Sequence, residues 1–245
     1  MTTGTGRSSD EPRPVVAVVV FPGSNDDRDA QRALELLGAD ARLVWHGDDE
    51  LPRGTAAVVL PGGFSFGDYL RCGAIARFSP VMRAVAAFAR DAGHVLGICN
   101  GFQILTEAGL LPGALRPNAS LSFVCRDVAL TVERTDTPFT SRCAHVALDR
   151  PLTIPVKHGE GCWFADEELL EELEASGQIV LRYAAGDNPN GAVADVAGVL
   201  GEHGNVFGLM PHPEHAVDPL LGSTDGGLIL GSLVDAARLS LASPV

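Results

Sequence analysis

Residues 94–108 read HVLGICNGFQILTEA, and the pattern changes character in the middle. The first five residues are a short apolar run typical of a buried strand, whereas residues 100–108 carry apolar side chains at helical spacing. Cys99 lies at the junction between Gly97 and Gly101, and glycines allow a sharp turn from strand to helix. The positive end of that helix would stabilise a thiolate. The arrangement is the cysteine counterpart of the serine nucleophile elbow. We therefore predict a nucleophilic cysteine; a small buried structural cysteine is the alternative.

The motif PHPE at residues 211–214 supplies candidate partners for this thiolate. His212 and Glu214 are separated by one residue, and on an extended segment such residues point the same way. The prolines on both sides of His212 restrict the backbone and favour that extension. A carboxylate beside an imidazole orients the ring and supports its cationic form. Cys99, His212 and Glu214 therefore form a candidate triad of nucleophile, base and orienting carboxylate, the alternative being a polar loop with a chance His-x-Glu.

The composition is that of a globular protein. The chain has 245 residues, of which 46% are hydrophobic and 20% are charged, and its formal net charge is −13. We expect one domain over residues 14–245 and a disordered tail over the polar residues 1–13. The negative charge argues against binding nucleic acid over a large face. Five cysteines without a C-x-x-C motif indicate neither a disulfide framework nor a zinc knuckle, and the lack of a signal peptide or membrane span predicts a cytoplasmic protein.

Strand and helix patterns alternate over about the first 110 residues. Apolar runs at residues 15–21, 56–60 and 94–98 are typical of parallel strands that are covered on both faces. Helical patterns occupy residues 26–37 and 80–91 between these runs. This alternation predicts an α/β fold with a doubly wound, mostly parallel sheet.

The second half of the chain has a different pattern. Residues 122–134 and 142–148 alternate apolar and polar side chains, as do antiparallel strands with one solvated face. Further strands are predicted at residues 178–183 and 192–200, and residues 206–209 lead into the loop that contains His212. We therefore expect an antiparallel strand extension of the parallel sheet.

The loop at residues 61–72 follows a predicted parallel strand, at the edge where open α/β sheets place ligands. Gly63 can bring a bare backbone N–H close to a substrate oxygen. Phe64, Phe66 and Tyr69 are unusual in a solvated connector, so we interpret them as candidates for a pocket rim or a partner interface. The alternative is a structural turn between strand and helix.

A second polar cluster, KHGEG, occupies residues 157–161. His158 and Glu160 could act as an acid–base pair or as metal ligands. A zinc site would normally require three or four ligands at readable spacing, so we predict no metal in this chain.

Several motifs together resemble a known family. They are FPGSNDDRDA (21–30), PGGFSFGDYLRCGAIA (61–76), GICNGFQIL (97–105), KHGEG (157–161), NPNG (188–191) and MPHPEHAVDPLLGSTDG (210–226). Over residues 15–241 the chain resembles the triad-type, class I glutamine amidotransferases, and more narrowly the glutaminase subunits of phosphoribosylformylglycinamidine synthase. The second motif and GSTDG carry the narrower resemblance. Phe66 and Ala192 depart from the tyrosine and serine that are common there, and neither belongs to the triad.

The resemblance implies an activity and further roles. Cys99 would attack the side-chain amide of glutamine, on a flavodoxin-like core. The backbone N–H groups of Gly63 and Asn100 would form the oxyanion hole. Gln103, Gly159 and Glu160 would contact the bound glutamine and are the substrate-binding candidates.

The resemblance also implies partners. The chain has no G-x-x-x-x-G-K-[ST] motif; it would carry no cofactor itself, and ATP and magnesium would belong to a large synthetase subunit that receives the ammonia. A small bridging subunit would complete the complex. Two alternatives remain open: a stand-alone Cys-His hydrolase of the DJ-1/PfpI type, which would not need the motif at 61–76 or GSTDG, and a non-catalytic binding subunit.

Overall fold

The computed structural model describes residues 13–242, and within them the chain forms five α-helices and eleven β-strands. The helices are α1 (Asp27–Leu36), α2 (Val81–Arg90), α3 (Asn100–Glu107), α4 (Glu167–Ala175) and α5 (Gly226–Ala242). The strands are β1 (Val15–Val20), β2 (Asp40–Trp45), β3 (Thr55–Leu60), β4 (His94–Ile98), β5 (Ala114–Arg116), β6 (Val124–Val132), β7 (Leu152–His158), β8 (Cys162–Phe164), β9 (Ile179–Tyr183), β10 (Val196–Leu200) and β11 (Val206–Leu209). None of the helices in this part of the chain is long and apolar enough to cross a bilayer. Except for Arg13, the predicted disordered tail lies outside the described residues.

Nine of these strands form one mixed sheet, in the order β2-β1-β3-β4-β11-β10-β9-β6-β7. The first five strands in this order are parallel to one another. The last four add on in antiparallel fashion, and β5 pairs with β8 in a separate ribbon. The predicted α/β class, with a mostly parallel core and an antiparallel extension, is confirmed.

The parallel half of the sheet positions the candidate site. Its central strands are buried on both faces, as the apolar run of β1 predicted: residues 16–19 and 57–60 are fully inaccessible to solvent. The strand order reverses between β1 and β3, and open α/β sheets bind ligands at such a switch point. The loops after β1 and β3 meet at this edge, where Ser24 and Gly63 form an isolated antiparallel bridge.

The prediction of a strand at residues 142–148 is wrong. Ser141–Cys143 forms a 3-10 turn, followed by further turns. The backbone N–H of Arg142 donates to Ser232 Oγ at 2.9 Å, and its guanidinium pairs with Asp235 at 2.6 Å. These bonds attach the segment to α5 and not to a sheet, so its alternating pattern reflects a turn with one side packed on a helix. The antiparallel partners of β6 are β7 and β9.

The strand predicted at residues 192–200 begins later, at Val196. Ala194 and Asp195 have φ values of 48° and 56°. This left-handed conformation is incompatible with a β-ladder, so residues 193–195 form a 3-10 turn before β10 begins.

Candidate active site

Cys99 lies at the turn between β4 and α3. Its backbone has φ 49° and ψ −103°, and a left-handed conformation costs a residue with a side chain about 1–3 kcal/mol. The N–H of Cys99 donates to the carbonyl of Leu209 at 2.8 Å, so the turn is tied to the end of β11. The side chain is buried at the carboxyl edge of the sheet, next to the N-terminus of α3. This is the geometry of a nucleophile elbow.

Gly101 allows α3 to begin close to β3. A Cβ at this position would lie 1.9 Å from the carbonyl oxygen of Leu60. We expect Gly101→Ala to lower the free energy of unfolding by at least about 1–3 kcal/mol, the usual cost of overpacking. Chemical denaturation measures the change, with Gly227→Ala in α5 as the matched control, because a Cβ at Gly227 meets nothing within 4 Å. Equal stability of the two variants would contradict this account of the turn.

His212 and Glu214 form a buried pair, with 2.6 Å between His212 Nδ1 and Glu214 Oε1. The backbone that joins them is not extended, contrary to our prediction from the PHPE motif, because Pro213–His215 forms a 3-10 turn. The fixed φ of proline suits the first position of a helical turn, which explains the difference. The turn nevertheless brings the carboxylate to Nδ1. His212 Nε2 is buried and has no conventional hydrogen-bond partner, so it remains available for chemistry.

The charge of His212 follows from its neighbours. Burial alone would lower the pKa of His212, because it disfavours the charged ring, but the negative charges of Glu214 and the Cys99 thiolate raise it to about 10. The hydrogen bond to Glu214 acts in the same direction. The imidazole is therefore protonated at neutral pH when it is paired with the thiolate. A cationic imidazole beside a nucleophile can donate a proton to a leaving group.

Cys99 opens on a cavity of about 170 Å³. The residues that line it are Gly63, Phe64, Asp68, Cys72, Cys99, Gln103, Phe123, Lys157, His158, Gly159 and Glu160. A larger cavity of about 650 Å³, bounded in part by Leu110 and His203, contains none of the predicted site residues. We assign the candidate site to the smaller cavity because its wall includes the nucleophile of the elbow.

Two backbone N–H groups, those of Gly63 and Asn100, are the predicted oxyanion donors. Asn100 is the first residue of α3, and the first N–H groups of a helix have no acceptor within the helix. In the bridge between Gly63 and Ser24, the hydrogen bonds are made by the flanking residues: Phe64 N to Gly23 O at 2.8 Å and Asn25 N to Gly62 O at 3.2 Å. In such a pair the N–H of the bridged residue points away from the opposite strand. The oxyanion roles of Gly63 and Asn100 stay predictions that this geometry allows.

Gln103 links α3 to the KHGEG segment. Its Nε2 donates to the backbone carbonyl of Glu160 at 2.5 Å, and its Oε1 accepts from Asn100 Nδ2 at 2.9 Å. Asn100 Oδ1 accepts in turn from the N–H of Ser65 at 3.2 Å. One chain of hydrogen bonds therefore joins the loop after β3, the start of α3 and the segment that contains Gly159.

The three aromatic residues of the loop after β3 have different surroundings. Phe64 and Tyr69 are 44% and 76% exposed, and the ring of Phe64 lies 6.3 Å from that of Phe123 at the rim of the cavity. Phe66 packs against the core, with its ring edge-on to His46 at 5.3 Å. Phe66 therefore anchors the loop, whereas Phe64 and Tyr69 are placed where a partner could contact them.

Cys72 shares the cavity with Cys99. Burial raises the pKa of the Cys72 thiol, and the carboxylate of Asp68 raises it further. Cys72 therefore stays protonated, and it contributes to the cavity wall as a neutral thiol.

Asn118 was not predicted from the sequence, yet it shapes the cavity wall. Its Oδ1 accepts from the N–H of Gly161 at 2.9 Å and lies 3.1 Å from His158 Nδ1, and its Nδ2 donates to the His158 carbonyl at 2.9 Å. Burial, followed by the positive charge of His212, lowers the pKa of His158 to about 4, so this ring stays neutral. No local signal identifies Asn118, because its partner His158 lies 40 residues away along the chain.

Asp26 is the second residue that the sequence patterns did not reveal. It precedes α1 but makes no capping hydrogen bond. Its carboxylate is buried beside the triad, where Oδ1 accepts from Lys157 Nζ at 2.5 Å and from His215 Nε2 at 3.3 Å. The sequence pattern placed Asp26 only at the start of the predicted helix over residues 26–37.

Asp26, His212, Glu214 and His215 carry ligand atoms within 4.8 Å of one another, a spacing that a metal ion could use. Hydrogen bonds among these groups already account for the spacing. The ammonium of Lys157 and the protonated His212 also oppose the entry of another cation. The absence of a metal from this chain stays a prediction. Glutamine hydrolysis that is unchanged by a chelator would agree with it, and loss of hydrolysis would contradict it.

Comparisons with known proteins agree with this geometry. A model of the CobB/CobQ-like glutamine amidotransferase domain matches residues 13–225. The phosphoribosylformylglycinamidine synthase subunit PurQ of Rhodopseudomonas palustris strain HaA2 is 55% identical, over 89% of this chain and 96% of the relative. PurQ of Rubrobacter xylanophilus is 58% identical, over 91% and 99%. The solved structure of PurLQS from Thermotoga maritima contains a chain with 44% identity and a TM-score of 0.82, over 91% of this chain and 99% of that one.

These matches cover nearly all of the described residues, including both halves of the sheet. The similarity extends over Cys99 and the PHPE motif, which lie within the region that the family model matches. They confirm the resemblance that the motifs indicated. The chain belongs to the family of CobB/CobQ-like glutamine amidotransferase domains, as a class I member of the PurQ type.

Proposed function

We propose that this chain hydrolyses glutamine and delivers the ammonia to a synthetase partner, which converts formylglycinamide ribonucleotide to formylglycinamidine ribonucleotide with ATP in purine biosynthesis. The observation that carries the hydrolytic part is the strained elbow of Cys99 beside the buried His212–Glu214 pair. The pathway is supported by the relatives, each of which is named as a subunit of phosphoribosylformylglycinamidine synthase.

The first half of the reaction forms a thioester. The Cys99 thiolate attacks the side-chain amide carbon of glutamine, and the developing oxyanion is stabilised by the N–H groups of Gly63 and Asn100. His212 donates its Nε2 proton to the amide nitrogen, and the C–N bond breaks to release ammonia. Glu214 holds the ring through Nδ1, so that Nε2 faces the leaving group.

The second half consumes one water molecule. His212, now neutral, takes a proton from water as the oxygen attacks the γ-glutamyl thioester. Glutamate leaves, the Cys99 thiolate is restored, and His212 is again protonated. The raised pKa of His212 suits this cycle, because the ring is charged at the start and becomes neutral only after it has protonated the departing amide nitrogen.

The proposal assigns the remaining chemistry to other subunits. ATP and magnesium bind to the large synthetase subunit, and a small bridging subunit completes the complex; the structural relative is a chain of PurLQS from Thermotoga maritima. We also propose a cytoplasmic location. It is supported by the five cysteines of this chain, which are all free, as is usual in a reducing compartment.

The synthetase is expected to activate this chain. Phe66, Asp68 and Leu70 have φ values of 54°, 53° and 82°, so the loop that follows Gly63 is strained. We expect docking of a partner on the exposed Tyr69 to fix the loop and with it the oxyanion donor. One such donor is worth on the order of 10²–10³ in rate, so the isolated chain should hydrolyse glutamine more slowly than the complex by that factor.

The experiment compares glutamate release by the isolated chain and by the complex with its synthetase and bridging subunits. Tyr69→Ala should weaken the activation, whereas Leu239→Ala, a matched exposed apolar position on α5, should not. Full activity of the isolated chain, unchanged by partners, would favour the stand-alone hydrolase. No turnover in either form, together with no labelling of Cys99 by a glutamine-like electrophile, would favour a binding subunit.

A further inference from the structure

Asp26 is a buried carboxylate at a point where several parts of the site meet. The residue is only 3% exposed. Its Oδ1 contacts Lys157 and His215, and its Oδ2 lies 3.6 Å from His212 Nδ1. A buried carboxylate is destabilising unless cations and donors compensate it. Here the compensating groups all belong to segments that form the candidate active site, although the residue itself belongs to the turn before α1.

Asp26 is charged in this setting. Burial by itself would raise the pKa of Asp26, but the hydrogen bond from His215, the charge of His212 and the contact with Lys157 hold it well below its usual range. Coupling between two ionised groups is reciprocal, so Asp26 also stabilises the protonated form of His212. The imidazole therefore has a second anionic neighbour besides Glu214.

The backbone at Asp26 is bound to the loop that carries Gly63. The N–H groups of Asn25 and Asp26 both donate to the carbonyl of Gly62, at 3.2 and 3.3 Å. A Cβ on Gly62 would lie 2.5 Å from Asp26 Oδ2 and 2.6 Å from His212 Cε1. The side chains of Asp26 and His212 therefore both pack directly against Gly62, the residue that precedes the proposed oxyanion donor Gly63.

Lys157 connects the same carboxylate to the nucleophile. Its ammonium contacts Asp26, and its backbone carbonyl lies 3.9 Å from Cys99 Sγ as a weak hydrogen-bond acceptor. We propose that Asp26 is a positioning residue for glutamine hydrolysis, which fixes His212 relative to the oxyanion loop and supports its protonated form. This inference rests on the proposed function of the chain.

The groups around His212 determine the sign of the expected pH effect. They are Glu214 and His215 on its own segment, Asp26 before α1, Cys99 after β4 and His158 on β7; Lys157, also on β7, contacts Asp26. Removing the anion in Asp26→Asn should lower the pKa of His212, so the alkaline limb of kcat/KM moves to lower pH. Removing the cation in Lys157→Met should move the limb to higher pH. A merely structural lesion would not produce shifts of opposite sign.

The experiment uses the complete complex and measures glutamate release against glutamine concentration and pH. For Asp26→Asn we expect kcat to fall by about 10²-fold, the effect of a misplaced catalytic group. KM for glutamine should stay near the wild-type value, because Asp26 is not among the residues that line the cavity. Asp225→Asn is the matched control, since Asp225 is also a buried, ion-paired aspartate just before a helix, where it pairs with Arg150. This control should keep the wild-type kcat and pH profile.

Three results would overturn the inference: a wild-type kcat in Asp26→Asn, an alkaline limb that does not move, or an equal loss in Asp225→Asn. If Asp26→Asn does not fold, as judged by circular dichroism, the test is the alkaline limb of Lys157→Met. A shift to higher pH would support the inference, and a shift to lower pH or no shift would overturn it. A wild-type complex that does not hydrolyse glutamine would refute the proposed function and this inference together. Failure of the inference alone would leave the wild-type complex fully active.

Discussion

Replacing Cys99 with alanine is expected to reduce glutamine hydrolysis by about 10⁶-fold, the loss that follows removal of a triad nucleophile. Without the thiol no γ-glutamyl thioester can form, and the remaining site can only bind glutamine. The measurement is glutamate release by the assembled complex. Synthesis of the amidine from free ammonia should continue in the same preparation, because the proposed function places the ATP-dependent step in the partner.

Cys125→Ala is the matched control for this substitution. Cys125 lies on β6 and is exposed, so its loss should leave hydrolysis near the wild-type rate. Near-normal hydrolysis by Cys99→Ala would overturn the whole mechanism. Loss of labelling by a glutamine-like electrophile in Cys99→Ala, with labelling retained in Cys125→Ala, would identify the reactive thiol directly.

His212→Ala is expected to lose nearly as much activity as Cys99→Ala, about 10⁶-fold, whereas Glu214→Ala should lose on the order of 10⁴-fold. The imidazole carries the proton in both half-reactions, while the carboxylate orients the ring and stabilises its charge. Steady-state hydrolysis by the complex measures both values. Equal losses at all three positions would contradict this division of roles.

The charge of Glu214 can be tested separately from its position. Glu214→Gln keeps the size of the side chain but removes the anion that contributes to a His212 pKa of about 10. The pKa of His212 should then fall, and the ring should lose its proton at a lower pH. The alkaline limb of kcat/KM should move in the same direction, and a limb that stays in place would show that another group controls it.

The features that could be predicted from the sequence are those decided by neighbours along the chain. The apolar run at residues 15–21 has no polar face, so it can only be a strand that is covered on both sides, and β1 is one. The glycines around Cys99 likewise specify a sharp turn within a few residues. Glu214 reaches His212 despite the wrong backbone prediction, because either an extended segment or a tight turn can bring these side chains together.

The features that could not be predicted depend on contacts between distant segments. Asp26 lies at the start of a helical pattern, and only its contact with Lys157, 131 residues away along the chain, connects it to the candidate site. Asn118 is an isolated polar residue until β7 brings His158 against it. The segment at residues 142–148 has a strand-like alternation, but the backbone N–H of Arg142 is bound by Ser232 of α5 and not by a neighbouring strand. In each case tertiary contacts outweigh a local preference.

The position of β11 has a consequence for the protein during its synthesis. This strand, close to the end of the chain, inserts between β4 and β10 and so joins the parallel and antiparallel halves of the sheet. It delivers His212 to Cys99, which left the ribosome more than a hundred residues earlier. A nascent chain that contains Cys99 but ends before β11 therefore lacks the proposed proton donor, His212. We therefore expect the unfinished protein not to hydrolyse glutamine. Hydrolytic activity should begin only after β11 has joined the sheet.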